Sequence, residues 1–233
     1  MVTTTTRTAT RTATRTDAAI QQDVLRELKW DPHVEETEVG VQVEHGVVTL
    51  AGHVGAYAKK LAAAEAAHRV AGVLDVANDL VVKIPGSGAK TDAELAESVR
   101  NALRWDAFVP EKKIHTTVSG GIVTLEGTVS TWAQREDAAR VTGRLQGVSG
   151  VVNRIAVEGT SVDAGGVKHA IEEALDRQAE REARRIEVSV HDGRVTLNGT
   201  VRSWSERRAV ERAAGFAPGV RTMDSRLVID PYS

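Results

Sequence analysis

A chain of 233 residues with 41% apolar and 27% charged side chains has the make-up of a globular protein, and its length accommodates one large domain or several small ones. Thirty Lys and Arg against 32 Asp and Glu leave a net charge of −2, which gives no electrostatic reason to expect nucleic acid as a partner. The absence of cysteine excludes disulfides, thiolate nucleophiles and Cys-ligated metal, and it suits a reducing or an oxidising compartment equally.

Residues 1–16 are a Thr-rich run with Arg7, Arg11 and Arg15 at every fourth position. They lack the apolar stretch of about 7–15 residues that a secretory signal needs, and no later stretch reaches the ~18 apolar residues of a membrane span. The default expectation is a cytoplasmic protein with a flexible arm, or an arm that adds as a strand to a sheet edge of another subunit.

From residue 17 every element occurs three times. The segments VVTLAGHV (47–54), IVTLEGTV (122–129) and RVTLNGTV (194–201) align on Gly52, Gly127 and Gly199, and about 60 residues around these glycines overlay without a gap. First comes a helix, from the i, i+4, i+8 stripes Ile20/Val24/Leu28, Leu95/Val99/Leu103 and Val167/Ile171/Leu175, with Asp17, Thr91 and Asp163 as candidate caps. Trp30 and Trp105 end the first two of these helices, where copy three has Arg177; the expectation is that they pack between helix and strand or against a neighbouring module. A strand follows, from the alternation Val39/Val41/Val43, Ile114/Thr116/Val118 and Ile186/Val188/Val190. His45-Gly46, Gly120-Gly121 and Asp192-Gly193 then suit two-residue hairpins leading into the V-T-L strand.

Ala-rich stretches at 58–71, 133–146 and 205–217 predict a second helix, begun in each copy by an aromatic: Tyr57, Trp132 or Trp204. Gly72, Gly147 and Gly219 stand where a helix C-cap is wanted, and a third strand carries Val76/Leu80/Val82, Val151/Ile155/Val157 and Met223/Leu227/Ile229. The fold class is therefore α+β, with three tandem α-β-β-α-β modules at 17–84, 91–158 and 163–232. Each is a small three-stranded sheet covered by two helices. Pro85-Gly86-Ser87-Gly88 forms one linker; Glu158-Gly159-Thr160-Ser161 with Gly165-Gly166 forms the other.

This pattern, a G-x-V-T-L-x-G-x-V strand followed by a G-V-x-x-V-x-N segment, resembles the BON domain. The second signature reads Gly72-Val73-Leu74-Asp75-Val76-Ala77-Asn78 in copy one and Gly147-Val148-Ser149-Gly150-Val151-Val152-Asn153 in copy two. Copy three has Ser225 in place of the asparagine. The resemblance covers roughly residues 17–232. It implies a module without catalysis, found in osmotic-shock-induced and envelope proteins and associated with attachment to phospholipid or to other envelope components.

No nucleotide-binding, nucleophile-elbow or zinc-protease motif occurs, so no catalytic residue and no cofactor are expected. The seven histidines are scattered; His45 and His53 flank one hairpin but have no counterparts in the other copies, so no metal is expected either. The recurrent Gly52, Gly127, Gly199, Gly72, Gly147 and Gly219 read as structural. Tyr57, Trp132 and Trp204 read as partly buried caps on the sheet end or as interfacial anchors. The modules carry net charges of −5, −1 and 0, and copy three holds the basic run Arg181, Arg184 and Arg185. Arg202, Trp204, Arg207 and Arg208, with Trp132 and Tyr57, are the candidate edge for an anionic phospholipid surface or an envelope protein, although Glu206 and Glu211 intervene. The alternative is a self-assembling structural subunit, a homo-oligomer or filament, built through module edges and the arm.

Overall fold

The computed structural model describes residues 15–34, 39–86, 90–158, 164–178 and 186–231. The greater part of the arm (1–14), the linker segments 87–89 and 159–163 and the Arg181/Arg184/Arg185 run lie outside the described residues, as do Asp163 and residues 232–233.

Module one runs α1 (Asp17–Trp30), β1 (Val39–Glu44), β2 (Val47–Val54), α2 (Tyr57–Arg69) and β3 (Asp75–Val82). Module two repeats this as α3 (Asp92–Trp105), β4 (Ile114–Ser119), β5 (Ile122–Val129), α4 (Trp132–Gly143) and β6 (Gly150–Val157), with a 3₁₀ turn Glu111–Lys113 before β4. Module three follows as α5 (Ala164–Gln178), β7 (Ile186–His191), β8 (Arg194–Val201), α6 (Trp204–Phe216) and β9 (Thr222–Ile229). In each sheet the V-T-L strand is central, antiparallel to the first strand and parallel to the third. The parallel pair is reached through the second helix, which closes the sheet's inner face together with the first helix.

Three separate apolar cores result, one per module. Each is built from the first helix (Ile20/Val24/Leu28, Leu95/Val99/Leu103 or Val167/Ile171), two buried V-T-L residues (Val48/Leu50, Val123/Leu125 or Val195/Leu197) and small residues of the second helix such as Ala66, Ala138 or Ala214. Gly127 shows why the V-T-L strand carries glycine. Its φ is +128°, and a Cβ there would fall 2.1 Å from the carbonyl oxygen of Lys113. The hairpins have positive φ at both loop residues, such as His45 (50°) and Gly46 (78°), as a type I′ turn requires.

Four details differ from the sequence reading. Thr16, not Asp17, caps α1, as Thr91 caps α3. The freed Asp17 carboxylate accepts from the amides of His45 and Gly46 at 2.8 and 2.9 Å, and Asp92 does the same for Gly120 and Gly121 at 2.9 and 3.0 Å. Module three has Ala164 at this position and lacks the tie. Second, Gly72, Gly147 and Gly219 are not helix C-caps. Each sits third in a four-residue turn beyond the helix, closed by Val73 N to Val70 O, Val148 N to Leu145 O and Val220 N to Ala217 O. The positive φ of 91°, 97° and 89° is what a type II turn demands there, and Pro218 takes the preceding place in copy three. Third, Gly165 and Gly166 belong to α5 rather than to a linker. Fourth, the end of the arm is docked: Arg15 donates to Ala71 O at 2.9 Å and pairs with Asp23.

Candidate functional site

The aromatic that opens each second helix lies five residues beyond the V-T-L glycine, and it docks on the neighbouring module. Tyr57 packs against the core of module two, where the place of a Gly143 Cβ lies 3.4 Å from its ring. Trp132 covers Gly215 of module three, its Cδ1 only 2.6 Å from where a Cβ would stand. Trp204 reaches the core of module one and lies against His68, with ring centroids 3.9 Å apart. His68, Gly143 and Gly215 are the same position, 16 residues beyond the V-T-L glycine. One head-to-tail contact is thus used three times, one→two, two→three and three→one. A heterologous contact that returns to its start after three steps is a closed ring with approximate threefold symmetry.

The two tryptophan plugs are steadied by their own helices. The Arg135 guanidinium lies 4.5 Å over the Trp132 ring, and Arg207 lies 4.8 Å over Trp204. Arg135 also donates to Ile155 O, as the equivalent Lys60 does to Leu80 O. The signature asparagines tie the third strand to the same helix: Asn78 Nδ2 donates to Lys60 O and Asn153 Nδ2 to Arg135 O. The matching Ser225 is too short for this, and its buried hydroxyl has no partner.

The edge expected from Arg202, Trp204, Arg207, Arg208, Trp132 and Tyr57 is therefore not an open surface. The three aromatics are turned into seams, Arg207 is engaged by Glu211 at 2.9 Å, and Arg208 crosses to Glu65 of module one at 3.2 Å. Arg202 is exposed, with its amide bonded to the Glu206 carboxylate. Between α4 and α6 the ring leaves a cleft of about 610 Å³, lined by Trp132, Met223 and Phe216 and by charges of both signs, Arg140, Arg208 and Arg212 with Glu136, Asp137 and Glu211.

The third seam is the irregular one. His68 fills a slot that is glycine elsewhere, and both His68 Nδ1 and Trp204 Nε1 are buried without a hydrogen-bond partner. Burial, then the nearby Arg208, hold the imidazole down to about 4; Asp75 opposes this and Arg207 adds to it.

The aromatics that do meet solvent are others. Trp30 and Trp105 are 86% and 85% exposed, Phe108 73% and Phe216 66%, against the expectation that the two tryptophans would be packed. Each Trp stands two residues past the last member of its stripe, Leu28 or Leu103, which is about 200° round the helix at 3.6 residues per turn. That angle was a readable sign that they leave the apolar face. Among the described residues no group of three His, Asp or Glu is placed to hold a metal ion, and no helix is long and apolar enough to cross a membrane.

Fold and site together define a trimodular α+β protein whose repeated surface feature is an aromatic plug and its slot. The BON domain model matches three times, at residues 16–84, 91–159 and 163–231. The chain belongs to the BON domain family. Among curated proteins it is similar to osmotically-inducible protein Y of Escherichia coli K12, 29% identical over 141 residues that make up 59% of this chain and 70% of that one. Among solved structures, CdsD, a structural protein of the type III secretion system of Chlamydia trachomatis, is 17% identical. The match covers 91% of this chain and 92% of that one at a TM-score of 0.28, and no functional inference follows from it.

Proposed function

We propose that this protein is a non-catalytic, stress-related adaptor that attaches to a phospholipid surface as a preassembled ring, through exposed aromatics rather than through the arginines of copy three. Family membership and the osmotically inducible relative support the stress-related, non-catalytic part. The observation that carries the attachment is the exposure of Trp30 and Trp105 at equivalent positions of two modules. Rotation about a common axis brings equivalent residues out on the same side of a ring. Module three offers Phe216 at the related corner, for its counterpart Arg69 bonds Glu27 and Asp31 at the end of α1. Tryptophan is favoured at a bilayer's polar boundary, where one edge of the indole is apolar and the other hydrated.

With module one at a net charge of −5, attraction to anionic headgroups is not the driving term. Binding should therefore change little between low and high salt, unlike a polybasic contact. The test is co-sedimentation with phosphatidylcholine/phosphatidylglycerol vesicles, comparing the full chain with Trp30→Ser/Trp105→Ser. Loss of most binding in the double variant, with an unchanged far-ultraviolet spectrum, supports the reading. Equal binding by both proteins, or no binding by the parent, rejects it.

A further inference from the structure

Two seams of the ring join modules that are consecutive in the chain, whereas the third joins the last module to the first with no linker between them. That third seam is also the one with the poorest fit. The other slots present glycine to the incoming aromatic, but here the His68 imidazole occupies the space. Two buried ring nitrogens, His68 Nδ1 and Trp204 Nε1, forfeit the hydrogen bonds they would have in water. The groups around His68 are mixed in sign. Glu65 and Arg69 flank it on α2, Asp75 opens β3, and Arg207, Arg208 and Arg212 face it from α6. A proton on His68 adds a third cation beside Arg207 and Arg208, at a position where burial already disfavours charge.

The contact itself is head-to-tail, so nothing in its geometry requires plug and slot to belong to one chain. We propose that the Trp204–His68 seam is a self-association surface: when module three leaves its own ring, it docks on modules one and two of a second copy, and the reciprocal exchange closes a dimer of two three-module rings. Within one chain the seam closes at an effective concentration on the order of millimolar, so the monomeric ring dominates in dilute solution. Acid opens the seam by charging His68; neutralisation at high protein concentration then closes a share of the seams between copies, where they remain. The exchange uses only contacts already present in the ring, which is why it adds no new surface.

The charge pair across the seam provides the test, because Glu65 and Arg208 are 54% and 42% exposed and can be changed without touching a core. In Glu65→Arg the seam sets two cations against each other, and in Arg208→Glu two anions. Neither variant alone can form a complementary seam, inside a chain or between copies. Mixed one to one, both Trp204–His68 seams of the exchanged dimer are complementary. Light scattering after size exclusion should find each variant monomeric and the mixture dimeric, with the dimer fraction several-fold above that of the parent at equal concentration. The parent, held at the lowest pH that preserves its far-ultraviolet spectrum and then neutralised, should yield dimer in proportion to its concentration in the acid step. His68→Gly, which restores the slot used elsewhere, should yield several-fold less. A mixture that stays monomeric, a variant that dimerises alone as much as in the mixture, or a His68→Gly protein that matches the parent would each overturn the proposal.

Discussion

Replacing Gly215 by alanine sets two effects against each other, and the ring decides the sign. Gly215 is the penultimate residue of α6, and alanine in a helix interior is worth up to ~1 kcal/mol over glycine, less near an end. Against this, the added Cβ would stand 2.6 Å from Trp132 Cδ1 and 3.2 Å from its Nε1, so the indole must leave the slot. A fully buried aromatic removes ~150–250 Å² from water; forfeiting ~100 Å² of that at ~25 cal/mol per Å² costs about 2.5 kcal/mol. The seam between modules two and three should weaken by a net ~1.5–2 kcal/mol while module three itself is unharmed. Gly143→Ala is the control, since there the Cβ meets Tyr57 at 3.4 Å and Leu61 at 3.7 Å, ordinary contact distances. Small-angle scattering and acrylamide quenching in a Trp30→Phe/Trp105→Phe background should show Gly215→Ala expanded and more quenchable. Gly143→Ala should match the parent. A compact, stabilised Gly215→Ala, or an opened Gly143→Ala, would refute the plug-and-slot account.

Ser225→Asn should give module three the tie that Asn78 and Asn153 make to the helix at 2.8 and 2.9 Å, raising its stability by about 1 kcal/mol in urea unfolding. Asp92→Ala removes the acceptor of two hairpin amides and should cost module two about 1–2 kcal/mol, measured the same way. The closed ring should also be acid-sensitive: the His68 value falls from 6.5 to about 4 in the folded chain, so the unfolded state binds the proton more readily. Stability is then complete above pH ~6.5 and declines as pH falls towards ~4, by about 1–2 kcal/mol once the partial solvent access of the imidazole is allowed for. Unfolding the parent and His68→Gly at pH 7 and pH 4.5 checks this; an equal pH dependence in both would remove His68 as the cause.

The modules were legible because their signals are local. Alternation in β1 and β4, the stripe Leu95/Val99/Leu103 and the two-residue hairpins each need only a few neighbours to be recognised. The ring was not, because the partner of Trp132 is Gly215, 83 positions away, and no periodicity joins them. The overlay did hold a trace of it: an aromatic recurs in the first turn of each second helix, while its last turn holds His68, Gly143 or Gly215. A buried glycine inside a helix costs stability without a compensating turn, so it points to close approach by something large. Trp30 and Trp105 failed in the opposite sense, since hydrophobicity suggested burial whereas their angle on the helix opposed it.

The departures from the repeat gather around module three and its seam with module one. Module three has Ala164 where Asp17 and Asp92 tie the hairpin, and Ser225 where asparagine ties strand to helix. The slot that receives its plug is His68 instead of glycine. Each change removes a stabilising contact or leaves a polar atom unpaired, and His68 is the one that stands in a seam. The third junction already lacks a linker, and His68 in its slot weakens it further, while Ala164 and Ser225 loosen the module that supplies its plug. Module three is thereby the least tightly held part of the ring, whereas modules one and two are joined through the regular Tyr57–Gly143 contact.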